Sequence, residues 1–262
     1  MNIANADATE DEPLTPPLLH ARNALFLDFD GTLVAIAPRP QDVHVAPWVV
    51  PTLRRVQAAL GGALAVLTGR PLEEVDGFLA PLRPAAAGVH GTQRRSAEGR
   101  LWAVDAEPPD SVVRAAHALA RHHPELLIET KPAAIVVHYR AAPALATICR
   151  TTLAAALQGH DDWMLLSGHA ICEIKPRGFN KATALRSFMD ESPFTQRVPV
   201  VVGDDRTDED AFVAALESGG QAIKVGPGTT VARFRLDNPA AVCRWLSASA
   251  EALSPAHHLG TS

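Results

Sequence analysis

The stretch from Ala24 to Leu33, A-L-F-L-D-F-D-G-T-L, constrains the chain more than any other. Ala24, Leu25, Phe26, Leu27 and Phe29 surround one acid, and a second acid stands two positions on, ahead of Gly-Thr. A mostly apolar run of this length closed by glycine suits a strand buried on both faces of a parallel sheet. Asp28 and Asp30 then fall at its carboxyl end, where open α/β sheets bind ligands. Residues two apart on a strand share a side, and Gly31 supplies the backbone freedom to turn both carboxylates toward one point. Two carboxylates held together at neutral pH require a cation, a shared proton or both. For an isolated D-x-D-G, an aspartate-rich turn without chemistry is the plainer reading. A calcium loop is excluded by spacing: counting from Asp28 puts Leu33 where that loop has glycine and Arg39 where it has glutamate.

The same rhythm continues downstream. A helix is expected from Pro47, with Val49, Leu53, Val56 and Leu60 on one face and Gly61-Gly62 after it. Ala63 to Leu67 is a second strand running into Thr68-Gly69-Arg70, Pro71 opens another helix, and Ala85 to Val89 is a third strand ending in His90-Gly91. This alternation predicts a parallel sheet with right-handed crossovers. Near Thr92 it changes to a hairpin around Ala97-Glu98-Gly99, then helices and short strands up to about Ile174, as in a small α+β unit on an antiparallel sheet. From Glu173 the first rhythm resumes, with a helix after Asn180, a strand Val198–Val202 ending in G-D-D-R-T-D-E-D, a strand Gln221–Val225 and a last helix after Asn238-Pro239. The expected division is a disordered tail over 1–22, a core built from 23–91 and 173–253, a cap over 92–172 and a second tail over 254–262.

Composition narrows the class. With 47% apolar and 20% charged residues the chain is globular, and a net charge of −5 with no dense basic block argues against nucleic acid as a partner. No apolar run approaches a membrane span, and the acidic start has no apolar core like a secretory signal. Cys149, Cys172 and Cys243 form no C-x-x-C pair and read as buried thiols of a reducing compartment, so the cytoplasm is expected; a monomer is expected as well. The histidines at 117, 122, 123, 257 and 258 lack partners at zinc spacing.

Asp28-Phe29-Asp30, Thr68-Gly69-Arg70, Gly178-Phe179-Asn180-Lys181 and Gly203-Asp204-Asp205 all end or adjoin expected parallel strands. Together they place carboxylates, a hydroxyl and an ammonium on one rim, a poor core and a good phosphoryl site. Hard carboxylate oxygens without cysteine or paired histidine point to magnesium.

Through these four motifs the chain resembles the haloacid dehalogenase superfamily of phosphotransferases. The resemblance implies an α/β fold: a Rossmann-like parallel-sheet core carrying an inserted α+β cap of the C2 type. It implies that Asp28 is the nucleophile, Asp30 the acid and base, Thr68 a phosphoryl donor and Lys181 a charge-balancing group. Asp204 would complete the Mg2+ site with Asp28 and the carbonyl of Asp30, with Asp205 and Asp208 in support. Within the superfamily, from about Leu25 to Leu246, the chain is similar to the trehalose-6-phosphate phosphatases. That likeness rests on L-D-F-D-G-T-L, L-T-G-R, G-V-H-G, H-Y-R, E-I-K-P-R-G-F-N-K and G-D-D-R-T-D-E. It implies hydrolysis of a sugar phosphate, with trehalose 6-phosphate ahead of sucrose phosphate or mannosyl-phosphoglycerate. A silent sugar-phosphate-binding regulator is the rival from another class, and the intact Asp28, Asp30, Lys181 and Asp204 argue against it. Phe179 and Ala182 depart from the relatives' common residues.

For sugar contact the expected residues are Arg70, His90, Glu129, Lys131, Arg140, Glu173 and Lys175, alongside Asp28 and Asp30. Each has a plainer reading. Arg70 could pair only with Glu73 or Glu74, His90 could be a satisfied core histidine, Lys175 a loop charge, and Glu129, Lys131 and Arg140 surface charges of the cap sheet.

Overall fold

The computed structural model describes residues 14–168 and 170–254. The N-terminal part of the expected tail, residues 1–13, and the His257-His258 pair lie outside the described residues.

The first strand, β1 (Asn23–Leu27), is buried at every residue, as its apolar run requires. It is followed by α1 (Val49–Ala59), β2 (Leu64–Leu67), α2 (Leu72–Leu79), β3 (Ala85–Gly88), β4 (Gln93–Arg95) and β5 (Leu101–Ala103). Next come α3 (Asp110–His122), β6 (Leu127–Lys131), β7 (Ala134–His138), α4 (Ala146–Ala156), β8 (Trp163–Gly168) and β9 (Ile171–Pro176). The chain closes with α5 (Lys181–Met189), β10 (Val198–Gly203), α6 (Arg206–Glu217), β11 (Gln221–Val225), β12 (Phe234–Leu236) and α7 (Pro239–Leu253).

Two sheets result. The larger has the order β12-β11-β10-β1-β2-β3-β4-β5, parallel from β12 to β3 and antiparallel across β4 and β5. β1 lies at its centre between β10 and β2, so the segments after all three strands meet at one rim. This is the doubly wound arrangement, with ligands expected at the carboxyl ends of the strands. The smaller sheet, β6-β7-β9-β8, is antiparallel and packs α3 and α4 on one face around Val112, Ala116, Cys149, Leu153 and Ile174. Each sheet thus has its own core, and the larger is centred on Phe26, Phe188 and Phe194.

Several expectations are corrected. The hairpin β4–β5 extends the larger sheet, so the boundary expected at residue 92 falls inside the first unit. Arg95 explains why: its buried guanidinium forks Asp76 of α2 at 2.7 Å and 2.7 Å and donates to the Pro84 carbonyl, anchoring the hairpin to the core. The return from the smaller sheet also comes later than residue 173, because β9 runs to Pro176. Within the tail expected over 1–22, residues from Leu14 onward pack on the core. Leu14 bridges to Phe234, Leu19 is buried, and the Pro17 carbonyl accepts from the Trp245 indole at 3.0 Å. β12, which sequence periodicity did not reveal, is a three-residue parallel edge strand too short to show a period.

Candidate active site

The chain builds the rim from loops that follow buried strands, and caps fix the side chains there. Asn180 caps α5: its side chain accepts from the Thr183 amide at 2.8 Å, and Thr183 Oγ1 accepts from the Asn180 amide at 3.0 Å. That reciprocal box starts the helix with Lys181 in its first turn. Asp205 caps α6 in the same way, accepting from the Thr207 amide at 2.5 Å, while Asp208 Oδ2 accepts from the amides of Asp204 and Asp205 at 3.1 Å each.

Lys181 is buried and joins two acids, donating to Asp28 Oδ1 at 2.5 Å and to Asp208 Oδ1 at 2.7 Å. Burial pushes the ammonium down, but Asp208 and Asp28 outweigh it and hold Lys181 well above its usual range. Asp28 moves the other way. Burial raises its carboxyl, Lys181 counters this only in part, and Asp208 and Asp204 raise it further. One ammonium among these acids leaves net negative charge. Asp204 feels it too: burial and then Asp208 push its carboxyl up to about 7.

By its chemistry this cluster could hold a cation. Carboxylate oxygens of Asp28, Asp204 and Asp208 lie within 4.8 Å of one another. Both Asp208 oxygens are already engaged, one by Lys181 and one by backbone amides, which leaves Asp28 and Asp204 to face an ion. Asp204 folds over Gly31, where an added Cβ would stand 2.0 Å from Oδ2 and the backbone φ is +82°. Lys224, alone in the apolar run of β11, donates to the Asp204 carbonyl and steadies the same loop. Lys224 was not expected at the site, although a single lysine inside Q-A-I-K-V is a usable signal.

Asp30 stands beside this group and is held by Arg70, which donates from Nε at 2.6 Å and from Nη2 at 2.9 Å. The guanidinium also reaches Glu74 at 2.8 Å and the Pro40 carbonyl at 3.0 Å, and lies over the Phe29 and Phe78 rings. The expected pairing with Glu74 is present, and the larger share of the fork goes to Asp30. The Asp30 carboxylate is thus occupied at both oxygens by Arg70. Thr68 is buried, with Oγ1 accepting from the Arg70 amide at 3.1 Å.

A cavity of ≈ 510 Å³ opens over the rim, a size typical of small-molecule sites. Asp28, Asp30, Thr68, Arg70, Lys181, Asp204 and Asp205 line one side; Glu129, Lys131, Arg140 and Glu173 line the other, with His90 between. Lys131 Nζ donates to the Gly69 carbonyl at 2.9 Å, and Arg140 donates to the Ala37 carbonyl at 2.9 Å, so the smaller sheet is tied to the core rim. Glu173 is wholly buried. Burial opposes its ionisation, but the charges of Lys131 and His90, the His90 hydrogen bond and Lys175 together hold it down at about 2. Its Oε1 has no hydrogen-bond partner among the described residues.

Lys175 is the correction. It does not line the cavity; it is buried and donates to the Phe179 carbonyl in the loop before Lys181. Burial pushes its ammonium down. Missed from sequence were His138, which lines the cavity and meets Glu129 at 2.7 Å, and Arg206, which lines it from the start of α6. His138 stands in the H-Y-R run and could have been found there.

A parallel sheet whose central strand delivers two aspartates to a lysine-bridged acid cluster under a capping sheet defines a phosphatase of the haloacid dehalogenase class. A phosphatase of that superfamily from Bacteroides thetaiotaomicron shares the fold, with a TM-score of 0.58 at 16% identity over 92% of this chain and 98% of that one. The C-terminal domain of the Candida albicans trehalose-6-phosphate phosphatase superposes with a TM-score of 0.80 at 20% identity, over 88% of this chain and 93% of that domain. The Escherichia coli trehalose-6-phosphate phosphatase is 38% identical over 247 residues, 92% of each chain. The trehalose-phosphatase family model matches residues 26–239. The chain belongs to the trehalose-phosphatase family.

Proposed function

We propose that the protein hydrolyses trehalose 6-phosphate to trehalose and phosphate with Mg2+. The observation that carries the reading is the opposition, across one cavity, of a phosphoryl-type rim and a buried carboxylate with an unused acceptor oxygen. Asp28 attacks phosphorus as the bond to the sugar oxygen breaks, and Asp30 gives that oxygen its proton. The aspartyl-phosphate on Asp28 is then opened by water, whose proton Asp30 takes, releasing phosphate and restoring Asp28. Thr68 holds the phosphoryl oxygens, and Lys181 balances their charge. Mg2+ would be held by Asp28, Asp204 and the Asp30 carbonyl, and supplies charge neutralisation on the phosphoryl oxygens. The Arg70 fork donates to both Asp30 carboxylate oxygens and so fixes that side chain at the rim.

Sugar recognition falls to Glu173, Lys131, Glu129 and Arg140 on the far wall. Phosphate release over trehalose 6-phosphate, sucrose phosphate, mannosyl-phosphoglycerate and a small aryl phosphate, with and without Mg2+, tests the reading. Highest kcat/KM on trehalose 6-phosphate with Mg2+ is expected; preference for another sugar phosphate overturns it. No helix among the described residues is long and apolar enough to cross a membrane. With the three free thiols, this supports our placement of the protein in the cytoplasm. We take it to be a monomer there, which sedimentation checks.

Glu173→Gln keeps shape but weakens the acceptor. A mispaired buried polar group corresponds to roughly 5- to 150-fold in preference, so kcat/KM for trehalose 6-phosphate falls by that order relative to the aryl phosphate. Lys175→Ala behaves differently: it frees the Phe179 carbonyl, lowers thermal stability, and leaves the ratio of the two substrates within about twofold.

Metal binding carries a pH signature. Asp204 has a folded-state pKa of about 7 against an ordinary value of 3.8. A raised carboxyl pKa means that its contribution to stability is full below the ordinary value and is lost as pH rises through the folded value. Mg2+ offsets that loss by binding the ionised form. The gain in Tm on adding Mg2+ should be small near pH 5 and largest near pH 8, and Asp204→Asn should flatten the difference. Equal gains at both pH values in the parent protein would remove Asp204 from the metal site.

A further inference from the structure

Between β3 and β4 the backbone takes left-handed angles at three residues in succession: Val89 (φ 46°), His90 (φ 52°) and Gly91 (φ 101°). Glycine adopts such angles freely, histidine uncommonly, and a β-branched valine only when its surroundings impose them. Here they do. Val89 is wholly buried, its amide donates to the Arg70 carbonyl at 3.0 Å, and the His90 amide donates to the Thr68 carbonyl at 3.0 Å. The turn is therefore fastened to the strand end that carries Thr68 and Arg70.

Its effect is to aim one ring. His90 lies on the bare backbone of Gly69, where an added Cβ would stand 2.7 Å from Nε2 and 2.9 Å from Cε1. From there Nε2 meets Glu173 Oε2 at 3.0 Å, bridging the core to strand β9 of the smaller sheet. Glu173 is thus held at one oxygen while the other, Oε1, is buried without a hydrogen-bond partner among the described residues. The nearest cation to Oε1 is Lys131, 3.9 Å away, and it donates to the Gly69 carbonyl instead. Without the His90 hydrogen bond, the attraction of Lys131 would draw the carboxylate toward it.

We propose that His90 is a positioning residue, one that makes no bond to the substrate. It locks the rotamer of Glu173, a residue of the cavity lining, so that Oε1 is kept clear of any protein donor and is left as the acceptor for a sugar hydroxyl. The same turn binds the Thr68 carbonyl, so the sugar acceptor is held in register with the phosphoryl end of the site. This rests on the reading of Glu173 as a sugar contact. The strain at Val89 and His90 is then the means by which a core loop reaches a cap strand at a defined angle.

The experiment compares His90→Leu, His90→Asn and His90→Gln with Glu173→Gln on trehalose 6-phosphate and on a small aryl phosphate. Leucine removes the donor, and the shorter asparagine amide falls short of Glu173 while tolerating left-handed angles. Both should raise KM for trehalose 6-phosphate roughly 10- to 100-fold, the scale of a lost hydrogen bond to a charged group, with kcat changed less than about threefold. The ratio of kcat/KM between the two substrates should fall in step. Glutamine places an amide near the former Nε2 and should restore KM to within about fivefold. Should the leucine variant not fold, the asparagine and glutamine pair decides the matter. Parallel loss on both substrates in His90→Asn, or no rescue by glutamine, overturns the proposal and leaves the turn as a support for Thr68. If Glu173→Gln lowers the substrate ratio and His90→Asn does not, the positioning role fails and the Glu173 reading stands. If Glu173→Gln leaves the ratio unchanged, the Glu173 reading itself fails.

Discussion

Asp28→Asn lowers turnover of trehalose 6-phosphate by about 10⁴- to 10⁶-fold, the scale seen when the nucleophile of a covalent hydrolase is removed. The amide has nearly the shape of the acid but neither its attacking charge nor its affinity for a cation. The fold should persist. Lys181 keeps Asp208 at 2.7 Å, and the exchange removes one member of a crowded acid cluster in which burial and like charges already oppose ionisation of Asp28. Circular dichroism and a melting temperature within a few degrees of the parent check the fold. Acid quenching during turnover of phosphorus-labelled substrate should leave label on Asp28 in the parent and none in the variant. Near-normal turnover in Asp28→Asn would falsify the covalent route.

Asp30→Asn separates the acid from the nucleophile. General acid–base catalysis contributes typically 10²- to 10⁴-fold, and the loss should approach that for a sugar hydroxyl, a poor leaving group. An aryl phosphate whose leaving group needs little protonation should lose far less in the step that phosphorylates Asp28. Both substrates should share the slowed second step, in which Asp30 takes the proton of water. Rapid-quench kinetics resolve the two: the variant is expected to accumulate phosphoenzyme with the aryl substrate and not with the sugar phosphate. The Arg70 fork makes the comparison sharper, because an asparagine amide cannot accept from both Nε and Nη2 as the carboxylate does at 2.6 Å and 2.9 Å. Equal slowing of phosphorylation with both substrates would assign Asp30 to holding Arg70 instead of to proton transfer.

The core site was readable because its parts follow local rules. A buried apolar strand ending in D-x-D, a strand ending in T-G-R and a helix opening after Asn180 each declare themselves over a few residues, and the resemblance joined them. Arg70 shows where this stops. Its link to Glu74 lies four residues along the chain and follows helix spacing, whereas its stronger hold on Asp30 spans forty residues. That link exists because β1 and β2 are neighbours in the sheet. The misplaced hairpin has the same origin: β4 and β5 read as part of the insertion by sequence order, and only the pairing of β3 with β4 and the Arg95–Asp76 fork put them in the core.

Glu173 and Lys175 were both expected to contact the sugar, and both lie on β9. They part because Lys175 stands about 7 Å further along, where the chain turns back and offers the Phe179 carbonyl to its long side chain. Arg206 was missed because facing a cavity is not a property of spacing, whereas His138 stood inside the H-Y-R run.

The parallel core and the acid pair that follows its central strand were legible in the chain alone, since burial periodicity and carboxylate chemistry are encoded residue by residue. Tertiary structure alone decided that Arg70 holds Asp30, that Lys181 spans Asp28 and Asp208, and that Glu173 faces the cavity with one oxygen tied to His90. Those outcomes depend on distances between segments far apart in the chain, which are set when two sheets pack and not by any stretch that either sheet contributes.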